Sequence, residues 1–394
     1  MYPPTGPQGP LPVIPDLPPP DPNDRYESFV PRPLPSPKGR LGVQLLLLIL
    51  TIVTTTMVGA EHYLAFTIGF EKLVQMLDSD RAALAALALR PEFYLNGFWY
   101  SLAILAILGC HELGHYVACL RYGVAATRPY FLPLPPSPAT PWTGTLGAFI
   151  RIKSRIPDRI ALFDIGIAGP IAGFVVAVPV LFIGMWLSRV ERIPPDLPGG
   201  VTLGEPLLFQ LAQWMVWGPI ADGYGLNMHP MGFAAWFGLL ATALNLFPIA
   251  QLDGGHIAFA VFGRRSVLIT YFMISVAIAL AFFSLSWIVW TILMLLMILL
   301  VGPHHPPTLN DDIRLGRGRL ALAACGLVIW VLCFTPAPIS PFEPSRQSEH
   351  RERVDVDRDP LHQLWMPRYR QLQGLAHDAP VRSLQEELRA VFPA

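Results

Sequence analysis

Residues 267–302 contain no charged side chain. A stretch that long cannot lie on the surface of a soluble domain. It also exceeds the roughly 20 residues an α-helix needs to cross the hydrocarbon of a bilayer. It is long enough for two short crossings joined by a tight turn near Ser284–Ser286. Further apolar runs cover 41–60, about 94–119, about 161–187, about 231–252 and about 319–335. Charged residues make up 14% of the chain, against about 25% in a typical soluble domain. The reading is an all-α polytopic membrane protein. Six to seven transmembrane helices are expected, with a short β-prone re-entrant or loop segment among them.

Basic residues in short loops set the orientation. They fall in four groups: Lys38 and Arg40; Arg121, Arg128, Arg151, Lys153, Arg155 and Arg159; Arg264 and Arg265; and Arg314, Arg317 and Arg319. These groups occupy alternate loops when 267–302 crosses twice, so all four can be cytoplasmic at once. Segments 61–93 and 188–230 then lie outside. The organisation expected is a Pro-rich cytoplasmic tail (1–40), a first transmembrane helix with an extracytoplasmic interfacial helix (41–93), a membrane core (94–260), additional transmembrane helices (261–336) and a soluble C-terminal tail (337–394). Residues 1–40 hold 14 of the 42 prolines and no apolar core of a signal peptide, so the tail is read as polyproline-II or disordered chain. The end, "VRSLQEELRAVF", suggests a short amphipathic helix. With seven spans the C-terminal tail lies outside, and with six it lies inside.

Basic and acidic residues balance at 28 each, so nothing points to nucleic acid as a partner. Cys110, Cys119, Cys325 and Cys333 form no CxxC pair and are read as small buried hydrophobes.

The chemistry stands out against this background. The sequence "GCHELGHYVACLRYG", 109–123, interrupts an apolar run with two histidines and a glutamate. His111 and His115 are four residues apart and share a helix face, so both ring systems can reach one metal ion. Glu112 is rotated by about 100° and stands beside that site. This H-E-x-x-H pattern supplies two zinc ligands and a general base. The alternative is a satisfied pair of core histidines. It is disfavoured because each ionisable group inside a span costs about 2.5 kcal/mol or more.

A catalytic zinc takes three protein ligands and keeps one open position. Asp253, in "NLFPIAQLDGGH" (245–256), lies in a later span at matching depth. Pro248 should break that helix, and broken helices in membranes line cavities or protein-buried sites. Asn245 offers an amide donor, either to an oxyanion or to a neighbouring helix. His256 is open between a group supporting the ligands and a plain loop histidine.

"HELGH" followed by "NLFPIAQLDGG" resembles the site-2 proteases, which are intramembrane zinc metalloproteases. The segments "TGTLGAFIRIKSRIPDR" and "GIAGPIAGF" are similar to family segments as well. The resemblance spans about residues 95–260. It implies one Zn²⁺ held by His111, His115 and Asp253, with Glu112 catalytic and Asn245 facing the substrate. It also implies single-span membrane proteins as substrates, cut near the cytoplasmic face of the cell (inner) membrane. Segment 188–230 is too short for the PDZ domain of many bacterial members. The chain therefore looks like a compact, PDZ-less member, similar to a branch that includes plastid homologues. Oligomeric state is not readable.

Other segments carry secondary expectations. "TLGAFIRIK", 145–153, is β-prone, and Thr145, Gly147, Ala148 and Phe149 are candidates for pairing with an unwound substrate; a purely structural hairpin is the alternative. Gly169 and Gly173 have the spacing of close helix packing and are expected to support the metal site. His304 and His305 are read as loop residues rather than a second metal site. Residues 73–90 are helical, read as an interfacial helix rather than an outer gate. Two rival functions stay open: a metal-ion or solute transporter using the same His/Asp constellation, and an inactive membrane scaffold.

Overall fold

A computed structural model of the chain describes residues 41–79, 86, 90–136, 143–194 and 201–341. The expectations for the tail 1–40 and for the end of the chain beyond 341 lie outside these residues. The helices are α1 (Leu41–Ile68), α2 (Phe70–Ser79), α3 (Pro91–Arg121), α4 (Arg159–Leu187), α5 (Leu207–Trp217), α6 (Pro230–Asn245), α7 (Asp253–Phe262), α8 (Ser266–Phe283), α9 (Leu285–Val301) and α10 (Arg317–Cys333). Strands β1 (Tyr130–Pro133), β2 (Thr145–Phe149), β3 (Arg189–Arg192), β4 (Val201–Leu203), β5 (Tyr224–Asn227) and β6 (Ile339–Pro341) form three two-stranded antiparallel sheets: β1–β2, β3–β5 and β4–β6.

Four helical stretches have the length and apolar composition to cross a membrane: 41–68, 91–121, 159–187 and 253–283. The expected six to seven spans are thus reached only if shorter helices cross too. Helix α6 has 16 residues, and α9 and α10 have 17 each. The chain does turn at Ser284, between α8 and α9, as the sequence suggests. The helix anticipated over 73–90 is described only as α2, which ends at Ser79.

The bundle is arranged inside out relative to a soluble protein. Leu46, Leu50 and Val53 of α1 are exposed, whereas Gln44, Thr51, Thr54 and Thr55 are buried. Each of these four polar side chains has a hydrogen-bond partner, as a medium without water demands, whereas Thr56 Oγ1 of the same helix has none among the described residues. Gln44 Nε2 donates to Arg128 O at 2.9 Å, Thr54 Oγ1 to Gly144 O at 2.7 Å, and Thr55 Oγ1 meets Ser101 Oγ at 2.6 Å. Two of these contacts tie α1 to the chain flanking the β1–β2 sheet. The apolar core proper is assembled from α3, α4 and α6, around Tyr100, Ile104, Ile107, Leu181, Met185, Trp236 and Leu239. Not every cysteine joins it. Cys119 and Cys333 are buried, but Cys110 is half-buried and Cys325 is exposed on the outer surface of α10.

Helices α1 and α3 cross at Gly59 and Gly97. A Cβ on Gly97 would stand 2.4 Å from Ala60 N and 2.6 Å from Thr56 O. Small residues allow such backbone approach, the main source of helix affinity where lipid removes the hydrophobic drive. Gly97→Val should therefore lower stability by about 1–3 kcal/mol, the cost of overpacking. Gly318→Ala, whose Cβ would meet nothing within 4 Å, should be close to neutral. Thermal unfolding in detergent checks the pair; equal melting temperatures would contradict the crossing.

Candidate metal centre

Helix α3 presents His111 and His115 one turn apart on the face turned toward α4 and α7. Both are buried, at 5% and 7% exposure. Asp253 opens α7 and reaches them from the far side of the break after Asn245. The expected break therefore places Asp253 at the start of a new helix rather than at the end of the one carrying Asn245. The chain between them makes a tight return. Ala250 adopts φ 45°, a left-handed conformation unusual for a residue with a Cβ, and Thr270 Oγ1 accepts its N–H at 3.3 Å. A Cβ on Gly255 would meet Ala250 O at 2.2 Å, so the turn that aims Asp253 closes only around glycine.

The ligand atoms converge. His111 Nε2 lies 3.1 Å from Asp253 Oδ2, His115 Nε2 lies 3.3 Å from Asp253 Oδ1, and the two Nε2 atoms are 3.1 Å apart. Tautomers decide what this means. Ile165 O can only accept, so His115 Nδ1 carries the hydrogen of their 2.7 Å bond. The neutral ring then turns a bare Nε2 lone pair toward a carboxylate oxygen, which is also an acceptor. Two acceptors facing each other in an apolar interior require a proton or a metal cation between them. Tetrahedral zinc with bonds of about 2.0–2.1 Å sets its ligands roughly 3.3 Å apart, close to the spacings found. His111, His115 and Asp253 are the group of described side chains that could hold a metal, and their chemistry fits zinc. Asn245 Nδ2 stands 3.3 Å from His111 Nε2, at the rim of the same cluster.

Glu112 does not join the ligand group. It is buried beside it at 8% exposure, with its carboxyl toward the backbone N–H of Ile150. Ile150 directly follows β2. The β1–β2 sheet lies over this part of α3, for Phe131 would be 3.5 Å from a Cβ on Gly109. Of the candidate pairing residues, Ala148 sits opposite Phe131, Phe149 opposite Tyr130, and Gly147 opposite Leu132. Thr145 is different: its hydroxyl donates to Leu132 O at 2.8 Å and accepts from Gly147 N at 3.0 Å. It locks the sheet and is buried, so its side chain is not presented to a partner.

Several contributors had no sequence signal. Ile165 O and Ile150 N–H are backbone groups that any residue supplies. The support expected of Gly169 and Gly173 is specific: a Cβ on Gly169 would lie 2.1 Å from His115 Nε2, and one on Gly173 would lie 3.1 Å from His111 Cβ. His256 is bound to His305, Nδ1 to Nε2 at 2.6 Å, and His305 stacks on Phe259. The pair pins the chain after α9 onto α7. Arg319, with Tyr122, holds Asp164 next to Ile165; the Arg319 Nη2–Asp164 Oδ2 distance is 2.8 Å.

Fold and site define a class: helical membrane proteins with a buried His–His–carboxylate cluster and an adjoining glutamate, the layout of a metallopeptidase centre. Residues 99–286 match the sequence model of peptidase family M50. That match covers 188 of the 394 residues and is to the site-2 protease family. Among curated proteins, the chain is 30% identical over 240 residues to the probable zinc metalloprotease EGY1, chloroplastic, of Arabidopsis thaliana, covering 59% of this chain and 42% of that protein. It is 30% identical over 264 residues to the probable zinc metalloprotease EGY2, chloroplastic, of Oryza sativa subsp. indica, covering 66% and 46%. It is 29% identical over 254 residues to the probable zinc metalloprotease EGY3, chloroplastic, of the same rice, covering 58% and 40%. The chain thus spans less than half the length of these relatives. No solved structure matches it.

Gly169→Ala should push the His115 ring out of the cluster and weaken zinc binding about 10–100-fold, as loss of a ligand's support does. Metal analysis of the purified protein against competing chelator tests this. Undiminished zinc in the variant would contradict the packing role.

Proposed function

We propose that this chain is an intramembrane zinc endopeptidase that cuts a substrate's transmembrane segment near the cytoplasmic face. The observation that carries the proposal is Glu112: a buried carboxylate beside, but outside, a three-ligand metal cluster. One zinc ion at His111, His115 and Asp253 would supply Lewis acidity and acidify a water in its open position. Glu112 can accept a proton there and return it to a leaving amine. Asn245 offers an N–H donor at the cluster's rim for developing negative charge on a carbonyl oxygen. A metal-ion or solute transporter needs three ligands but no base one residue from the first. An inactive scaffold needs none of these groups.

Peptide bonds in a helix are protected by their own hydrogen bonds, so the substrate must unwind. In the described residues β2 is paired on one edge only, by β1. Its other edge is the surface we assign to the unwound segment, by strand addition. The direction of the Glu112 carboxyl, toward the N–H of Ile150 one residue past β2, supports this.

Seven crossings with a cytoplasmic N-terminus accord with the pairings at the two ends of the bundle. At one end, Leu309 N donates to Ile156 O at 3.1 Å and Asn310 N to Pro157 O at 3.0 Å, joining two loops of the basic set. At the other, β4 pairs with β6, which puts the chain after α10 with segment 188–230. Excess Lys and Arg mark the cytoplasmic side. A cell membrane is the location we assign, and single-span membrane proteins are the substrates.

Glu112→Gln should keep its zinc and lose at least about 10²-fold in cleavage of a tagged single-span substrate, the usual worth of a general base. Equal cleavage by the variant and the wild type would end the protease reading. Ala148→Pro, with zinc intact, should abolish cleavage by blocking strand addition; full activity would remove β2 from substrate binding.

A further inference from the structure

A groove of about 410 Å³ runs between α7–α8 and α10. Its walls include Leu246 and Pro248 from the break, Gly254 next to Asp253, Phe262 and Met273 from α7 and α8, and Ala324 from α10. Every lining residue is apolar except Trp330, whose Nε1–H has no partner among the described residues. On α10 the lining extends from Leu320 to Trp330, about 15 Å at 1.5 Å per residue.

Its chemistry narrows what can occupy it. The N–H and C=O groups of an unwound peptide need partners inside a membrane, and the lining side chains offer almost none. An acyl chain has no such groups.

One end of the groove is basic. Arg264 and Arg265 follow Phe262 after Gly263, and Arg317 lies one turn before Leu320, with Arg314 just beyond. All four are exposed, and none forms an ion pair among the described residues. Arg319 is excluded from this set because Asp164 holds it. The nearby acidic residues are Asp311, whose Oδ1 accepts from Thr308, and Asp312. Four arginines against two carboxylates leave the rim positive.

We propose that this groove is a binding site for an anionic phospholipid, with an acyl chain between α7–α8 and α10 and the headgroup phosphate among Arg264, Arg265, Arg314 and Arg317. Basic pockets between helices at a membrane surface bind anionic headgroups in this way. The lipid would touch both sides of the break that aims Asp253. The binding itself rests on the membrane fold and not on the proteolytic reading.

The test uses the full chain in nanodiscs of equal phosphatidylcholine and phosphatidylglycerol, with retained lipid identified by native mass spectrometry. The wild type should retain phosphatidylglycerol in preference to phosphatidylcholine. Arg264→Gln and Arg317→Gln should each lower that preference about fivefold, the contribution of one basic residue near a membrane surface. Ala324→Trp, which fills the groove, should abolish retention while zinc content and melting temperature stay at wild-type values. If that variant misfolds, the arginine variants carry the test alone. Retention without headgroup preference, or a preference unmoved by both arginine changes, would overturn the proposal. So would a photocrosslinker at position 324 that captures peptide rather than lipid.

Discussion

Lone pairs aimed at one another inside an apolar bundle are the constraint on which the rest depends. His111, His115 and Asp253 bring their acceptor atoms to within 3.1–3.3 Å of each other, in a medium where an unpaired charge is costly. Such an arrangement is stable only around a shared proton or a metal cation. The surrounding structure serves to force the convergence: α3 stacks the two imidazoles, Ile165 O fixes one tautomer, and the turn through Ala250 and Gly255 swings Asp253 in from another helix. Remove any of these and the cluster opens into a set of buried, unsatisfied groups.

Close backbone approach makes this geometry possible. Where lipid surrounds the bundle, expelling water no longer drives helices together, and contact area comes from small residues. Gly59 and Gly97 seat α1 on α3, and Gly169 leaves space for the His115 ring. The polar face of α1 is turned inward and satisfied by Arg128 O, Gly144 O and Ser101. That arrangement connects the first helix to the sheet over Glu112, so the strand and the carboxylate are parts of one packed unit.

Much of this was legible from the chain alone, and what was not has a physical reason. The 3.6-residue period places His111 and His115 on one face regardless of tertiary context. Pro248 announces the break, and the need for a third ligand at matching depth points to Asp253. Of the β-prone 145–153 segment, Thr145–Phe149 forms a strand. Backbone contributors such as Ile165 O and Ile150 N–H were invisible because they carry no side-chain signal. The sequence leaves Thr145 open between a substrate contact and a structural hairpin residue; its hydroxyl is consumed within the sheet by Leu132 O and Gly147 N–H, partners set by pairing across the strands. The pairing of His256 with His305 joins residues 49 apart, which no local pattern encodes. Span number was the weakest inference, because hydropathy measures length and composition but not whether a short helix such as α6 completes its crossing together with α7.

The central claim is that two imidazoles and one carboxylate bind a single zinc inside the membrane. Zinc K-edge X-ray absorption on the purified protein tests it directly. The account predicts one zinc per chain, with imidazole scattering from two histidines and a shell of nitrogen and oxygen at about 2.0–2.2 Å. A shell containing sulfur at about 2.3 Å, or one without imidazole scattering, would contradict it.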